Sequence, residues 1–337
     1  VILIDEYDKP MLQAITNPEL QTKFRNTLKA FYGALKSCDG SIHFAMLTGV
    51  TKFSKVSVFS DLNNLMDISM DDRYVEICGI SEKEIHTYFE EDIHALATAT
   101  GLTYEETCAE LKSNYDGYHF TENAVGMYNP FSLLNTFAKK KFGSYWFETG
   151  TPTYLVELLK LHHYPIEELE HIVTSQPVLD SIDTASTDPI PVIYQSGYLT
   201  IKDFDRDSNL FLLDFPNNEV KSGFLAMVAT NYLQCKMPLE SWMVKAVFAL
   251  KRGQLEEFRK MLTSFLASIP YTMRRKENEP ERERYFHYTF YLLLRLMSVY
   301  AVLTEKEQSE GRVDCIVETP QYVYIFEFKL DGTAAEA

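Results

Sequence analysis

Apolar and polar positions along the first 95 residues predict strands and helices in turn. Residues 1–4 are all apolar and mostly β-branched, which is typical of a buried parallel strand. The same pattern predicts further elements: a helix over residues 18–37, a strand over 42–47 and an extended run over 73–78. Ser81 and Glu84 have the spacing of a capping box, so a further helix is expected from Ser81 onward. This alternation predicts a parallel sheet covered by helices.

The pattern changes over residues 96–240, which are rich in helix signals and interrupted by aromatic loops such as 115–120. The apolar segments 198–204 and 210–215 flank a polar turn and predict a hairpin. After a series of helices, such a hairpin resembles the wing of a winged-helix fold. Its turn is acidic, which favours a packing role over contact with DNA. Residues 216–218 break the chain, and helices are expected to resume near Glu219.

The region 241–337 contains one stretch, residues 285–303, that is almost continuously apolar or aromatic. Arg295 lies in its middle, and a central arginine is costly in lipid. We therefore expect a buried helix and no membrane span. The region ends with a predicted hairpin whose turn centres on Pro320 and Gln321.

The chemistry of this last hairpin depends on three polar side chains. Glu327 and Lys329 share a face because side chains alternate along a strand. A turn at Pro320 and Gln321 places Asp314 directly opposite Glu327. Two neighbouring carboxylates repel unless a cation joins them, and oxygen ligands suit Mg²⁺. The pattern predicts a metal site for phosphodiester cleavage, with Lys329 beside the attacking water. A solvated hairpin face with a Glu–Lys pair is the alternative.

A second candidate site follows the first strand. Asp5 and Glu6 directly follow the strand predicted over residues 1–4, and Thr48 directly follows the strand predicted over 42–47. Ligands of open α/β sheets bind at the carboxyl ends of strands. In P-loop NTPases an acid in this place holds Mg²⁺, and a following glutamate activates the attacking water. Many α/β strands end in acids without such a role, so this pattern alone leaves both interpretations open.

The phosphate-binding loop of such enzymes is absent from the sequence. There is no G-x-x-x-x-G-K-[ST] and no glycine-rich substitute. Because the first residue already lies in a predicted core strand, the chain is expected to be a fragment. Nucleotide binding is therefore expected only in the intact protein, and poor binding in this chain.

Charge and cysteine content narrow the class of protein. Five scattered cysteines without a C-x-x-C pair indicate a reducing cytoplasm, no disulfide framework and no zinc site.

The net charge is −16, but residues 241–337 hold 14 basic and 14 acidic side chains, so the imbalance lies in the first 240. That acidic region fits a protein partner or a homo-oligomer better than DNA. The basic cluster Arg274–Lys276 could contact phosphates. An ordinary exposed loop would have the same sequence, so both interpretations stay open.

Several motifs together resemble one family. They include VILIDEYDKP at residues 1–10, LTGVTKFS at 47–54, FSDLNNL at 59–65, the aromatic loops, segments 197–201 and 215–220, and the last hairpin. In this order they resemble AAA-ATPase-like proteins with a carboxy-terminal PD-(D/E)XK nuclease-superfamily domain. The resemblance covers nearly the whole chain.

The resemblance implies an α/β chain with three regions. These are a partial AAA-like ATPase core over 1–95 that begins at the Walker B strand, a helical and winged-helix-like connector over 96–240, and a nuclease-like domain over 241–337 that is truncated at its end.

The same resemblance assigns roles to individual residues. Asp5 would hold Mg²⁺, Glu6 would align water, and Thr48 would contact ATP in the intact protein. Asp314, Glu327 and Lys329 match the nuclease motif, and Glu283 is the candidate to complete its metal site. The implied function is ATP hydrolysis coupled to Mg²⁺-dependent DNA cleavage.

A second class of function also fits the sequence. The protein could be a non-catalytic, nucleotide-switched interaction module in which the hairpin is a relic of a nuclease. Its acidic first 240 residues would then bind a protein partner. The presence of all three nuclease-motif side chains favours the enzyme.

Overall fold

A computed structural model describes most of the chain. The described residues are 1–14, 17–50, 65–123, 125–148, 155, 159, 171–180, 188–233, 239–268, 289–290, 292–294, 296–297 and 315–326. The chain is a mixed α/β protein that divides into two compact units, Val1–Lys221 and Ser222–Ala337. The three regions expected from the sequence, 1–95, 96–240 and 241–337, stay a prediction.

The first unit contains small sheets and helices of 4 to 20 residues. In chain order its elements are β1 (Ile2–Ile4), α1 (Lys9–Gln13), α2 (Pro18–Ser37), β2 (Ala45–Leu47), β3 (Ile80–Ser81), α3 (Glu82–Tyr88), α4 (Glu90–Thr100), α5 (Tyr104–Tyr115), β4 (Met127–Tyr128), α6 (Pro130–Lys139), α7 (Tyr145–Glu148), β5 (Ile172–Thr174), α8 (Gln176–Leu179), α9 (Ile190–Gln195), β6 (Thr200–Asp205) and β7 (Leu210–Asp214). Helix α10 (Asn218–Leu233) follows β7.

The amino-terminal elements have the predicted order. Strands β1 and β2 pair in parallel, and α2 covers the predicted range 18–37. Asn17 begins α2 by accepting a hydrogen bond from the Leu20 N–H at 3.0 Å, and Pro18 occupies the first turn. Among the described residues this parallel pair is the extent of the predicted parallel sheet.

The extended run predicted over residues 73–78 is wrong. Residues Asp72–Tyr74 form a 3₁₀ turn, and turns and bends follow it. Asp71 accepts hydrogen bonds from the Arg73 backbone N–H at 3.0 Å and from its guanidinium at 2.5 Å. Such local bonds between side chain and backbone favour a turn over a strand.

A helical core is formed by α3 to α6. The predicted capping box begins α3: the Ser81 side chain accepts from the Glu84 N–H, and Glu84 accepts from the Ser81 N–H at 2.9 Å. Phe89 and Phe137 stack with their ring centroids 5.5 Å apart. Phe89 is partly buried, and Phe137 is buried together with Ile85, Ile93, Leu96, Leu111, Tyr115, Tyr128 and Leu133.

Three segments that are distant in sequence meet beside this core. The Thr200 hydroxyl accepts from the His119 N–H at 2.7 Å and donates to the His119 carbonyl at 3.0 Å. Asn217 donates to the Asp116 carbonyl at 2.8 Å. Lys202 is half-buried and donates to the Pro216 carbonyl at 2.9 Å, and burial lowers its pKa. These side-chain bonds join the aromatic loop to the predicted hairpin and to the break after it.

The hairpin of β6 and β7 is confirmed, and β5 extends it to an antiparallel sheet in the order β5-β7-β6. A one-residue irregularity interrupts β6 between Ile201 and Asp203. Helix α10 begins at Asn218, one residue before the expected point, and Asn217 accepts from the Val220 N–H at 3.1 Å.

The second unit begins within α10, and its described residues include two further helices and a hairpin. They are α11 (Leu239–Lys251), α12 (Leu255–Ser268), β8 (Cys315–Glu318) and β9 (Val323–Phe326). The ring of Trp242 on α11 packs at a tilt against that of Phe265 on α12, with 4.9 Å between ring centroids. The described residues within 285–303 are helical and buried, as predicted. No described helix is long and apolar enough to cross a membrane.

The aromatic loop, the hairpin and the segment after it meet at a junction that includes Gly117 and Pro216. This junction generates a stability prediction at Gly117. Its φ is +94°, and a Cβ there would overlap the Pro216 carbonyl oxygen. Gly117→Ala should therefore lower the free energy of unfolding by about 2–4 kcal/mol, because strain and overlap add. Urea unfolding followed by circular dichroism measures the loss.

Gly101 provides the matched control. Its φ is +74°, but a Cβ there would meet no heavy atom within 4 Å. Gly101→Ala should cost only about 1 kcal/mol from backbone strain. Equal losses for the two variants would show that the junction does not constrain Gly117.

Candidate functional site

The carboxyl ends of β1 and β2 bring the predicted polar residues of the first site together. The parallel register pairs Ile4 with Leu47, so Asp5 and Thr48 leave the sheet at the same edge. The backbone pairing continues past the strands: the Thr48 N–H donates to the Ile4 carbonyl at 2.8 Å, and the Tyr7 N–H donates to the Thr48 carbonyl at 3.0 Å. This register positions both side chains.

Asp5 is exposed and is held as a carboxylate. Its Oδ1 accepts from the Thr48 hydroxyl at 2.5 Å and from the Glu6 N–H at 2.9 Å. The hydrogen bond from Thr48, and then the one from Glu6, lower the pKa of Asp5 below its ordinary value. No described residue donates to Oδ2. Asp5 thus presents an ionised oxygen toward solvent, which suits a hard divalent cation.

Glu6 lies beside Asp5 but points to a different partner. Its φ is +51°, a left-handed conformation that is uncommon for glutamate. Its carboxylate pairs with the Lys9 ammonium at 2.5 Å, and this pairing raises the pKa of Lys9. Glu6 can therefore align a water molecule only when its ion pair with Lys9 is broken.

The sequence did not identify Asp8 and Gly49 as parts of this edge. Asp8 is fully buried, and its Oδ1 accepts from the Val50 N–H at 3.2 Å. A Cβ at Gly49 would lie 2.6 Å from that oxygen and 2.6 Å from the Tyr7 ring. Gly49 therefore permits the close approach that fixes the segment after Thr48. The sequence shows an acid three positions after Asp5 and a glycine after Thr48. It does not show that the side chain of Asp8 is buried.

The four residues of the predicted nuclease site, Asp314, Glu327, Lys329 and Glu283, lie outside the described residues. The hairpin next to them is described up to Cys315 and Phe326, which pair with each other. The remaining pairs are Ile316 with Ile325, Val317 with Tyr324, and Glu318 with Val323, so the turn centres on residues 320 and 321 as predicted.

The two faces of β9 have different environments. Phe326 packs near Phe258 and Phe290, with 5.8 and 5.2 Å between ring centroids. Val323 and Ile325 point the other way and are 64% and 63% exposed. Within the described part of the chain, no group of three or more His, Cys, Asp or Glu side chains is placed to hold a metal.

Both ends of the chain resemble known families, one of ATPases and one of nucleases. Residues 1–59 match the family described as Predicted AAA-ATPase, and residues 281–337 match the PD-(D/E)XK nuclease superfamily. The resemblance found in the sequence is thereby confirmed at both ends.

One curated relative matches most of the chain. It is an uncharacterized protein in the vnfD 5′ region of Azotobacter chroococcum mcd 1, 36% identical over 332 residues that cover 98% of this chain and 62% of that protein. The chain thus spans less than two thirds of the length of this relative. No solved structure matches the chain significantly.

The bond between Thr48 and Asp5 generates a titration prediction. The pKa of Asp5 is lowered in the folded protein, so its contribution to stability is present above the ordinary value of 3.8 and is lost as the pH falls through the folded value. Thr48→Val removes the hydrogen bond that lowers the pKa of Asp5 most, so it should raise that pKa toward the ordinary value. Carbon-detected NMR titration of the Asp5 carboxyl measures this.

Thr22→Val is the matched control for this titration. The Thr22 hydroxyl donates to the Pro18 carbonyl within α2 and does not contact Asp5. It should leave the Asp5 titration unchanged. An Asp5 pKa that stays the same in Thr48→Val would contradict the assigned cause.

Proposed function

We propose that the protein couples an AAA-like ATPase to a Mg²⁺-dependent PD-(D/E)XK nuclease-like domain that hydrolyses DNA phosphodiester bonds. The family matches at residues 1–59 and 281–337 support both halves. The single observation that carries the nuclease half is the register of β8 and β9. The proposal includes an AAA-like parallel sheet that extends β1 and β2, and a winged-helix-like connector around β6 and β7.

The register supports a shared site for two carboxylates. Cys315 pairs with Phe326, so one further pair in the same register would set Asp314 opposite Glu327. Alternation would then place Glu327 on the face of Val323 and Ile325, which is open to solvent and hence to a large substrate. Carboxylates facing each other at this spacing favour a divalent cation between them.

The proposed roles in DNA cleavage follow from residue chemistry. Asp314 and Glu327 supply oxygen ligands to Mg²⁺, and Glu283 completes the set. Mg²⁺, when bound, would supply Lewis acidity toward the scissile phosphate and lower the pKa of a bound water. The Lys329 ammonium donates hydrogen bonds that orient the attacking water and stabilise the hydroxide formed from it.

The nucleotide half rests on the first site. Asp5 offers an ionised oxygen for Mg²⁺, and Thr48 holds that carboxylate in place with its hydroxyl. Glu6 aligns the attacking water once it has left Lys9. ATP binding is proposed for the intact protein only, because the chain has no G-x-x-x-x-G-K-[ST] loop. We further propose a cytoplasmic protein whose acidic amino-terminal region binds a protein partner or a second copy.

Plasmid cleavage with Mg²⁺ or Mn²⁺ tests the nuclease assignment. Asp314→Ala and Lys329→Ala in the full chain should each lower cleavage at least about 100-fold, because each removes a group that acts on the nucleophile or metal. Asp207→Ala, in the turn between β6 and β7, is the control and should cut as the wild type does.

Two outcomes would contradict the nuclease assignment. Equal cleavage by all four proteins would show that another site, or a contaminant, cuts the DNA. A wild type that is inert with both metals would favour the non-catalytic interaction module, to which the excess of acids in the first 240 residues is suited.

ATP turnover by the intact protein tests the role of Glu6. Glu6→Gln should abolish turnover while nucleotide stays bound, because an amide cannot accept the proton of water as a carboxylate does. Fluorescent-nucleotide binding and phosphate release measure the two effects separately. Glu19→Gln, an exposed acid in the first turn of α2, should retain turnover. Unchanged turnover in Glu6→Gln would reject Glu6 as the water-aligning group.

A further inference from the structure

Helix α11 in the second unit has two sharply different faces. One face is buried and packs on α12, where the Trp242 indole N–H donates to the Met261 carbonyl at 3.2 Å. The buried members are Leu239, Trp242, Met243, Ala246, Val247, Ala249 and Leu250. The other face recurs at helical spacing and is exposed; it contains Val244, Lys245, Phe248, Lys251 and, just after the helix, Arg252. We call these five residues the basic stripe.

The basic stripe is cationic in a chain that is otherwise acidic. No acid occurs from residue 241 to 255, although the net charge of the chain is −16. Among the described residues, Lys245, Lys251 and Arg252 have no carboxylate partner, whereas Arg259 on α12 pairs with Glu256 at 2.8 Å. The Arg252 guanidinium lies over the Phe248 ring, 5.4 Å from its centroid, which leaves its N–H donors available.

The size of the stripe decides what it can bind. Val244 and Phe248 are only 38% and 50% exposed. Two such side chains are far too little apolar surface for a protein interface of about 1,200 Å². The cations extend from Lys245 to Arg252, seven residue steps or about 10 Å at 1.5 Å per residue. A DNA strand presents one phosphate per about 3.4 Å of axis, so roughly three phosphates match this length.

The carboxyl end of the stripe adjoins the last hairpin. The Tyr324 hydroxyl donates to the Leu250 carbonyl at 2.6 Å. The Tyr322 ring packs on Gly253, where an added Cβ would lie 2.6 Å from it. From Tyr322 to Phe326 the strand covers about 13 Å at 3.3 Å per residue. The proposed metal site follows directly after Phe326, so one duplex could reach both places.

We propose that the basic stripe is the docking surface for the phosphate backbone of duplex DNA on the nuclease-like domain. The inference rests on the proposed DNA cleavage and adds to it the surface that holds the substrate. Lys245, Lys251 and Arg252 each contact a phosphate, and Phe248 packs against the sugar between them. The contacts are to the backbone, so the stripe contributes affinity and position without sequence preference.

Fluorescence anisotropy with a labelled duplex, across a salt series, tests the stripe in the full chain. The variant Lys245→Gln/Lys251→Gln/Arg252→Gln should bind at least ten-fold more weakly at low salt. The slope of log K against log salt should become shallower by about 2–3, because about 0.9 counterion is released per phosphate contact. Phe248→Ala should weaken binding with little change in that slope.

A run of three exposed lysines in the first unit provides the matched control. The variant Lys139→Gln/Lys140→Gln/Lys141→Gln removes the same number of charges and should keep both affinity and slope. Glutamine and lysine have similar helix propensity, so both variants should retain the wild-type circular dichroism spectrum. The control should melt slightly lower, because it loses the contact of the Lys139 ammonium with the Tyr145 ring, 4.1 Å from its centroid.

Each other outcome would overturn the proposal in an identifiable way. Equal losses in both triple variants would show that only net charge matters. Unchanged binding in the stripe variant, with a wild type that binds and cuts, would reject the stripe and leave the proposed function standing. Unchanged DNA binding with lost binding of a polyglutamate probe would assign the stripe to an acidic protein. A wild type that neither binds nor cuts DNA would overturn the stripe and the proposed function together.

Discussion

Strand register is the constraint on which both candidate sites depend. In the first unit the parallel pairing of Ile4 with Leu47 brings Asp5 and Thr48 to one edge, where a 2.5 Å hydrogen bond joins them. In the second unit the antiparallel pairing of Cys315 with Phe326 fixes which residues of the last hairpin lie opposite each other, directly before the residues of the nuclease motif. A slip of one residue would turn every side chain of a strand to the opposite face. Packing therefore has to fix each register.

Different contacts hold the two registers. The buried Asp8 carboxylate and the absence of a side chain at Gly49 tie the end of β2 to the loop after β1. The hairpin is instead held from one side, because Phe326 packs near Phe258 and Phe290 while the Tyr324 hydroxyl bonds to α11. On the opposite face of β9, Val323 and Ile325 are exposed.

Much of the local structure could be predicted because its signals are local. The helix at 18–37, the capping box at Ser81 and the two hairpins each follow from a cap, a periodicity or a turn. The run at 73–78 was wrong because its apolar residues suggested a strand while Asp71 stabilises a turn. The burial of Asp8 and the pairing of Glu6 with Lys9 depend on tertiary packing. So does the lack of a carboxylate partner for the cations of the basic stripe among the residues that the structure describes. No sequence pattern gives them.

We propose that Asp314 and Glu327 hold one divalent cation together. Calorimetric titration of the full chain with Mn²⁺ tests it most directly, since it needs neither DNA nor turnover. If the two carboxylates share one ion, Asp314→Asn and Glu327→Gln should each remove the same binding event, the double variant should remove nothing more, and Asp207→Asn should leave it intact. Mn²⁺ binding that survives in both single variants, with unchanged affinity, would show that the two carboxylates do not share an ion.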